Sequence, residues 1–429
     1  MTVIIVGGGW AGCAAAYAAA ISGAETILIE KTDMLLGTGL VGGIMCNNGR
    51  LTAMEEMREL GAGEFLQVIE RAATHRNVDF PGHRHAMLYD VTKIEPAINN
   101  ALLAVGVKIK LQKRMTEVSV KRGCLTGIAT ADGDYIKGSV FIDCTGTAGP
   151  AQYCTGFGYG CAMCVLRCPT FGPRVSLTAK AGIVEITAEK GLPGFEAMSG
   201  SCKLDKKSLS PALVKNLEQA GVVVIPLPEA FHVYSNLAQK ACQQYALPEF
   251  ARNLILLDTG HAKLMAAYFP LDKLRTLKGF KEARYADPYA GGMGNSVRFM
   301  AMSPCDDSLL VTGTKNLFCA GEKTGLLVGH TEAIVTGFLA GHNAVRLLAG
   351  RELMVLPSEL ACGDIISYMH RQMKTPGGMG EKYTFSGSVY FRRMQETGLY
   401  LTDVAQIHQR VARVGLSGLF KLKLIHDPS

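Results

Sequence analysis

The chain has 429 residues, is 48% hydrophobic and 19% charged, and carries a formal net charge of +7. That length allows two or three domains, one of them with a large core, and the composition is that of an ordinary enzyme. The mild basicity suits an anionic ligand or an RNA partner and is diagnostic of neither.

No apolar run reaches the length of a membrane span, and an apolar strand beginning at Val3 leaves no room for a signal peptide. A cytoplasmic protein with no membrane partner is therefore expected. In that setting thirteen cysteines serve as thiols or metal ligands rather than as structural disulfides.

The chain opens on Val3–Val6, followed by Gly7-Gly-Gly9-Trp-Ala-Gly12, an Ala-rich helix over Cys13–Ile21, and a second strand, Thr26–Ile29, that runs into Glu30. Each glycine has a physical task. Gly7 permits the tight strand-to-helix turn, Gly9 lets the backbone approach a pyrophosphate, and Gly12 lets the helix pack close to the sheet. The helix N-terminus offers free N–H groups and a partial positive charge to phosphates, and Glu30 stands where it can hold ribose hydroxyls. Strand, loop, helix, strand and acid in that order predict dinucleotide binding. Trp10, Ala11, Lys31, Gly43 and Met115 complete this part of the candidate cofactor set.

A Gly-rich loop over Gly37–Gly43 leads to Cys46, and Ala53–Leu60 and Val91–Val105 read as helices. Strands are predicted at Val107–Leu111, Met115–Val120, Gly127–Thr130 and Val140–Ile142, the last entering the turn Asp143-Cys144-Thr145-Gly146. Residues 151–309 read as an inserted substrate or redox domain with helices at Pro211–Ala220 and Ala238–Tyr245 and a strand at Val222–Ile225. The chain then returns at Asn316–Glu322, passes a loop with Gly325 and Gly329, and enters a helix over Glu332–Leu348. Gly337, Ala340, Gly341 and Ala344 on that helix permit close packing. From Pro357 the tail is mostly helical, with a break at Pro376–Gly378. The expected fold is α/β: a FAD-binding, Rossmann-like domain of the two-dinucleotide-binding flavoprotein type (1–150 and 310–355), an inserted α/β domain, and a helical C-terminal segment (356–429).

Cys154, Cys161, Cys164 and Cys168 fall in Cys-x6-Cys-x2-Cys-x3-Cys-Pro spacing. Four thiolates so close in sequence can wrap an iron–sulfur cluster. Cys161 and Cys164 alone would make a redox dithiol, activated by Arg167. Buried small hydrophobes and a structural zinc site remain open alternatives. Cys46 is a candidate nucleophile for an electron-poor carbon, or a buried thiol beside the sheet. Arg174, in a stiff Pro- and Gly-containing loop, is a candidate clamp for an anionic substrate, or an exposed arginine. Lys273, Arg275, Lys278, Lys281, Arg284, Arg392, Arg393, Arg410 and Arg413 would form an RNA-facing stripe, but interspersed acids make an ordinary solvated surface the better reading.

The Gly7–Gly12 loop together with Asn316–Arg346 resembles the GidA/TrmFO-type flavoproteins, FAD enzymes that modify uridines in tRNA. The resemblance implies that Asp143–Gly146 closes the FAD domain, with Cys144 where Ala is usual. It implies further that Gly321 and Glu322 contact the pyrophosphate and ribityl chain. Gly329, His330 and Thr331 would then lie at the flavin's pyrimidine edge, where helix N–H groups stabilise reduced, anionic flavin. Met45–Arg58 and Gly279–Pro304 are similar to the folate-dependent tRNA uracil-5 methyltransferase branch, in which a Cys at the position of Cys46 serves the chemistry. Residues 151–278 and the last 50 do not follow the family, and Gly292–Arg298 replaces a Met-His-Arg motif of the methyltransferases.

Three functions follow as expectations. The first is a FAD-dependent oxidoreductase passing electrons between flavin, a cysteine-based centre and a small or carrier-bound substrate. The second is a methylenetetrahydrofolate- and FAD-dependent uracil-5 methyltransferase acting on tRNA or rRNA. The third is a non-catalytic FAD-binding scaffold. No second G-x-G-x-x-G marks an NAD(P)H site, so folate, NAD(P)H, thiol or ferredoxin stay open as reductant, as does a homo-oligomer.

Overall fold

A computed structural model describes residues 1–146, 171–172, 174–187, 197–199, 202–235, 237, 243–266, 269–286, 296–298 and 301–426. The chain begins with β1 (Thr2–Val6), α1 (Trp10–Ile21) and β2 (Glu25–Ile29). A helical turn at Gly39–Gly42 leads to β3 (Ile44–Met45), α2 (Gly49–Met57), a wide turn at Arg58–Ala62 and α3 (Gly63–Arg71). The hairpin β4 (Ala73–Phe80) and β5 (His83–Tyr89) follows, then α4 (Ile94–Ala104) and β6 (Lys108–Lys110). A meander of β7 (Met115–Lys121), β8 (Cys124–Thr130) and β9 (Tyr135–Lys137) precedes β10 (Val140–Asp143).

The second half holds β11 (Cys202–Leu204), α5 (Pro211–Ala220), β12 (Val222–Pro226), β13 (Asn253–Asp258) and β14 (Ala262–Leu264). The chain comes back as β15 (Leu317–Cys319) and α6 (His330–Leu348). It ends in α7 (Ala361–Gln372), α8 (Ser388–Glu396) and α9 (Val404–Arg413).

The main sheet has the order β15-β10-β1-β2-β6, with every neighbour parallel. Val3–Val6, Ile27–Ile29, Val140–Ile142 and Leu317–Cys319 are apolar without a break because both faces are covered, while the edge strand β6 is a partly exposed Lys-Ile-Lys. Val3 and Ile5 face a core shared with α1, α6 and the tail helices, while Ile4 and Val6 face a second core under the β7–β9 meander. Val140 and Ile142 against Phe141, and Phe318 against Leu317 and Cys319, divide in the same way. α1 and α6 cross closely enough that a Cβ on Gly337 would stand 2.4 Å from the Ala11 carbonyl oxygen, and one on Gly341 2.3 Å from that of Ala15. The small residues predicted to permit close packing are used for it.

Residues 44–89 leave this sheet. β3, β5 and β4 make a three-stranded sheet, and Ile44, Val78, Phe80, Ala86 and Leu88 share a core with Ile255 and Leu257 of the β11-β14-β13-β12 sheet and with Phe250 in the helical turn before β13. α5 covers the other face of that four-stranded sheet through Leu213 and Leu217. The N-terminal region thus contributes a β-layer to the core of the segment expected as an insertion. Other differences are local. The helix expected at Ala53–Leu60 begins at Gly49 and stops at Met57, because Gly61, at φ 111°, cannot continue it. The helix expected from Val91 begins at Ile94, since the Asp90 carboxylate caps a turn by accepting from Thr92 N–H and Oγ1. Of the helix expected at Ala238–Tyr245, Gln243–Tyr245 forms a 3-10 turn and 238–242 lie outside the described residues.

Candidate functional site: a dinucleotide cradle

Three turns converge at the carboxyl ends of β1, β10 and β15, the position at which open parallel sheets bind ligands. Gly7 has φ 104°, and a Cβ there would fall 2.3 Å from the Cys144 carbonyl oxygen. A Cβ on Gly12 would fall 1.8 Å from the Gly7 oxygen, and one on Gly321 2.9 Å from the Ala11 Cβ. Gly9 differs: nothing lies within 4 Å of the place its Cβ would take, and it caps α1 with no side-chain bond to the first-turn N–H groups. The loop therefore presents open space beside the first turn of α1, whose N–H groups have no partner within the helix and make a ready anion site.

Glu30, at the end of β2, accepts from Gly8 N–H at 2.7 Å and from Thr32 N–H at 2.9 Å. Its carboxylate is fixed at the loop's edge with lone pairs to spare. Lys31 Nζ donates to the Gly172 carbonyl at 3.0 Å. Arg174 stands at the β10 turn, its Nη1 3.1 Å from where a Gly146 Cβ would be. Asp143 is fully buried and holds that turn by accepting from Thr145 N–H and Oγ1, and from Thr178 N–H and Oγ1. Met115 instead packs in the core beneath the meander with Ile29 and Val6.

The N-terminus of α6 faces the Gly37–Gly43 loop. His330 Nδ1 lies 3.2 Å from Tyr89 Oη, which donates to the Gly39 carbonyl at 3.0 Å. The His330 ring is pressed on Gly42, where a Cβ would fall 1.8 Å from Cε1, and Trp10 stands 6.1 Å away between centroids. Gly43, at φ 82°, lies against Thr259. Trp10 Nε1, Thr331 Oγ1 and Thr259 Oγ1 are buried without a hydrogen-bond partner among the described residues. Buried polar atoms ordinarily find partners, so three orphans round one loop fit a polar ligand edge. A cradle that a Cβ would fill at Gly9, a fixed acid and these donors together fit FAD. Gly9 and the α1 N-terminus would take the pyrophosphate, Glu30 the ribose, and Thr331 the ring edge.

Several residues of this site escape sequence reasoning. Arg50 and Glu332 form a buried ion pair at 3.1 Å. Arg50 also donates to Asn47 Oδ1, the Val328 carbonyl and Thr384 Oγ1, and Glu332 accepts from Thr384 Oγ1 and Phe385 N–H. Gly329 is required beside them, since a Cβ there would stand 2.0 Å from both Arg50 Nη2 and Glu332 Oε2. Lys203 Nζ donates to the Leu40 carbonyl, and buried Lys263 Nζ to those of Val41 and Gly42, so the inserted sheet grips the loop. An acid in the first turn of α6 was the one visible signal. The lysines carried none, because their partners are backbone oxygens more than 160 positions away.

Cys46 is half-buried at φ 61°, and burial, then Glu70 and Glu55, pushes its thiol up to about 12. These surroundings act against the thiolate form in which a cysteine is nucleophilic. Cys154, Cys161, Cys164 and Cys168 lie outside the described residues, as does Gly292–Asn295. Of the basic stripe, Arg284, Arg393 and Arg410 pair with Asp205, Asp364 and Glu56, and Lys273 sits over the Phe231 ring. Among the described residues no helix is long and apolar enough to cross a membrane.

Comparison with known proteins agrees with this geometry. The chain is 48% identical over 54 residues to the methylenetetrahydrofolate–tRNA-(uracil-5-)-methyltransferase TrmFO of Bacillus cytotoxicus, a match covering 13% of the chain and 12% of that protein. It is 24% identical over 414 residues to the tRNA uridine 5-carboxymethylaminomethyl modification enzyme MnmG of Desulfotalea psychrophila, covering 82% of the chain and 61% of the relative. The chain thus spans less than two thirds of the length of these relatives. The structure of Aquifex aeolicus GidA superposes with a TM-score of 0.69 at 17% identity, over 99% of the chain and 74% of that structure, which establishes a shared fold of the Rossmann-like flavoprotein type. The family model described as glucose inhibited division protein A matches residues 2–223 and 250–352. With more than half its length matched, its parallel sheet and its glycine cradle in place, the chain belongs to the GidA family.

Proposed function

We propose that the protein is a FAD-dependent enzyme that modifies uridine in tRNA, the substrate named for both of its relatives. The observation that carries this reading is the cradle itself, where Gly7, Gly12 and Gly321 admit no side chain while Gly9 opens on empty space. When bound, FAD supplies one- and two-electron redox chemistry. The protein's own residues hold the pyrophosphate on the α1 N-terminus, fix the ribose through Glu30 and set donors at the ring edge. The test is nucleoside mass spectrometry of tRNA from a deletion strain. Disappearance of one modified uridine, restored by the gene, is expected. An unchanged nucleoside profile would remove tRNA as the substrate.

A second reading is favoured by the cysteine spacing at 154–168. Here the protein is an oxidoreductase that passes electrons between FAD and an iron–sulfur or dithiol centre, with a small or carrier-bound substrate. Methyl transfer through Cys46 would need a thiolate that the surroundings oppose. Iron and acid-labile sulfide assays on anaerobically purified protein, with its visible spectrum, separate the two. About four irons per chain would support a cluster. Flavin bands alone would leave thiol chemistry, and a flavin that no donor reduces would favour a scaffold.

A further inference from the structure

On the far side of the Gly321–Thr324 turn, away from the cradle, Cys305, His370 and Asp307 meet. His370 lies in the last turn of α7, its Nδ1 2.7 Å from Asp307 Oδ1 and its Nε2 3.0 Å from the Thr324 carbonyl oxygen. Both ring nitrogens face groups that only accept. A neutral imidazole has one proton and would leave one of these contacts empty, so the arrangement calls for the doubly protonated ring. The C-terminal end of a helix favours that cation further. Cys305 Sγ lies 3.6 Å from the same Nε2 and 3.7 Å from the Thr324 oxygen.

We propose that Cys305 is a nucleophilic thiolate, paired with the His370 imidazolium and held there by Asp307, and that it takes low-molecular-weight disulfides. The sulfur anion of Cys305 attacks one sulfur of the disulfide. The S–S bond of the reagent breaks, a new one forms to Cys305, and the second half leaves as a thiolate that takes a proton from water. Cys305 is oxidised and the leaving thiol reduced, so nothing beyond the disulfide is consumed.

The surroundings agree. A hydrogen bond from the Cys319 thiol, then the bond and charge of His370, lower the Cys305 thiol against the opposing effects of burial and Asp306. Burial alone would lower His370, but Asp307 and Cys305 raise it. Arg371 and Lys374 add positive charge beside Asp307. Cys305 is only partly buried, whereas Cys319 is fully buried with its thiol pushed up.

Site-resolved reaction with glutathione disulfide on the purified flavoprotein, read by peptide mass mapping from pH 5.5 to 9, tests this without any variant. At pH 6.5 Cys305 should react at least about tenfold faster than the comparably half-buried Cys124, with its inflection below the usual thiol value of about 8.5. Equal rates, or an inflection at or above that value, would overturn the proposal. His370→Gln should bring the Cys305 rate down to that of Cys124. Asp307→Asn, a positioning variant, should move the inflection upward with Cys124 unchanged. A Cys305 rate indifferent to both variants, each retaining bound flavin, would equally refute the ion pair.

Discussion

Two glycines of one loop separate folding from ligand binding. Gly12 cannot take a side chain, because its Cβ would stand 1.8 Å from the Gly7 oxygen, and backbone does not yield as a flexible side chain does. Gly9 has ordinary dihedrals, φ −68° and ψ −176°, and open space around it. Gly12→Val should therefore lower the melting temperature of the apoprotein and its yield. Gly9→Val should leave the apoprotein melting within about 2 °C of the parent, a shift worth at most about 2 kcal/mol for a chain of this size. It should nevertheless weaken FAD by at least about tenfold, about 1.4 kcal/mol. Flavin-to-protein absorbance after gel filtration, with calorimetry of both apoproteins, reads the two effects apart. A Gly9→Val protein that keeps its flavin would show that the ligand does not approach α1. Both glycines were legible in the sequence because a tight turn and a close approach each leave a local residue signature. Which of the two faces ligand and which faces the protein's own backbone was not, since that depends on the path of the turn that brings the Gly7 oxygen onto Gly12 and on Cys144 packing there from the end of β10.

Between elements, the segment Asn47–Arg50 works as a chain of oriented hydrogen bonds. Arg50 donates to Asn47 Oδ1, which leaves the Asn47 amide to donate to His83 Nδ1 at 2.9 Å. The remaining proton of His83 must then sit on Nε2, which faces the Gln244 carbonyl at 2.9 Å. This neutral tautomer joins α2, the β4–β5 hairpin and the inserted segment, and burial pushes His83 down to about 3. The unfolded chain binds a proton near pH 6.5 that the folded chain refuses, so the contribution is whole above that pH and lost as pH falls towards 3. Urea midpoints at pH 7 and pH 5 should fall more steeply for the parent than for His83→Gln, which keeps one donor and one acceptor but cannot be protonated. Parallel curves would refute the neutral link. The neighbouring Arg50–Glu332 pair, 3% and 1% exposed, makes a second element-scale prediction. Glu332→Gln strands a buried guanidinium and should cost about 3 kcal/mol, and Arg50→Met in the same chain should recover much of it. Denaturant unfolding of both variants decides it, and a single variant as stable as the parent would show the pair to be dispensable.

Across the whole molecule, what was legible follows burial. The strands of the main sheet other than the edge strand β6 are covered on both faces and read as apolar runs, and their helices carry small residues at helical spacing. The hairpin β4–β5 went unread because β4 is largely exposed, with polar residues through its length and three register shifts against β5. Its partnership with the inserted sheet joins residues more than 140 positions apart and leaves no local pattern. That partnership sets this sheet against the Gly37–Gly43 loop: it presents Lys203 and Lys263 to the carbonyls of Leu40, Val41 and Gly42, while the His330 ring packs on Gly42. Lys263 is 5% exposed, and these oxygens with their helical-turn dipole receive its ammonium there. Lys263→Met keeps the length of the side chain and removes the donor. Amide exchange at 39–43 should then speed up by about tenfold or more, and FAD should bind more weakly, while exchange in β1, β2 and β10 stays as it is. If exchange in the loop does not change, the inserted sheet lies beside the pocket without organising it. If the β-sheet amides loosen as well, the lysine serves the stability of the whole fold and not the loop in particular.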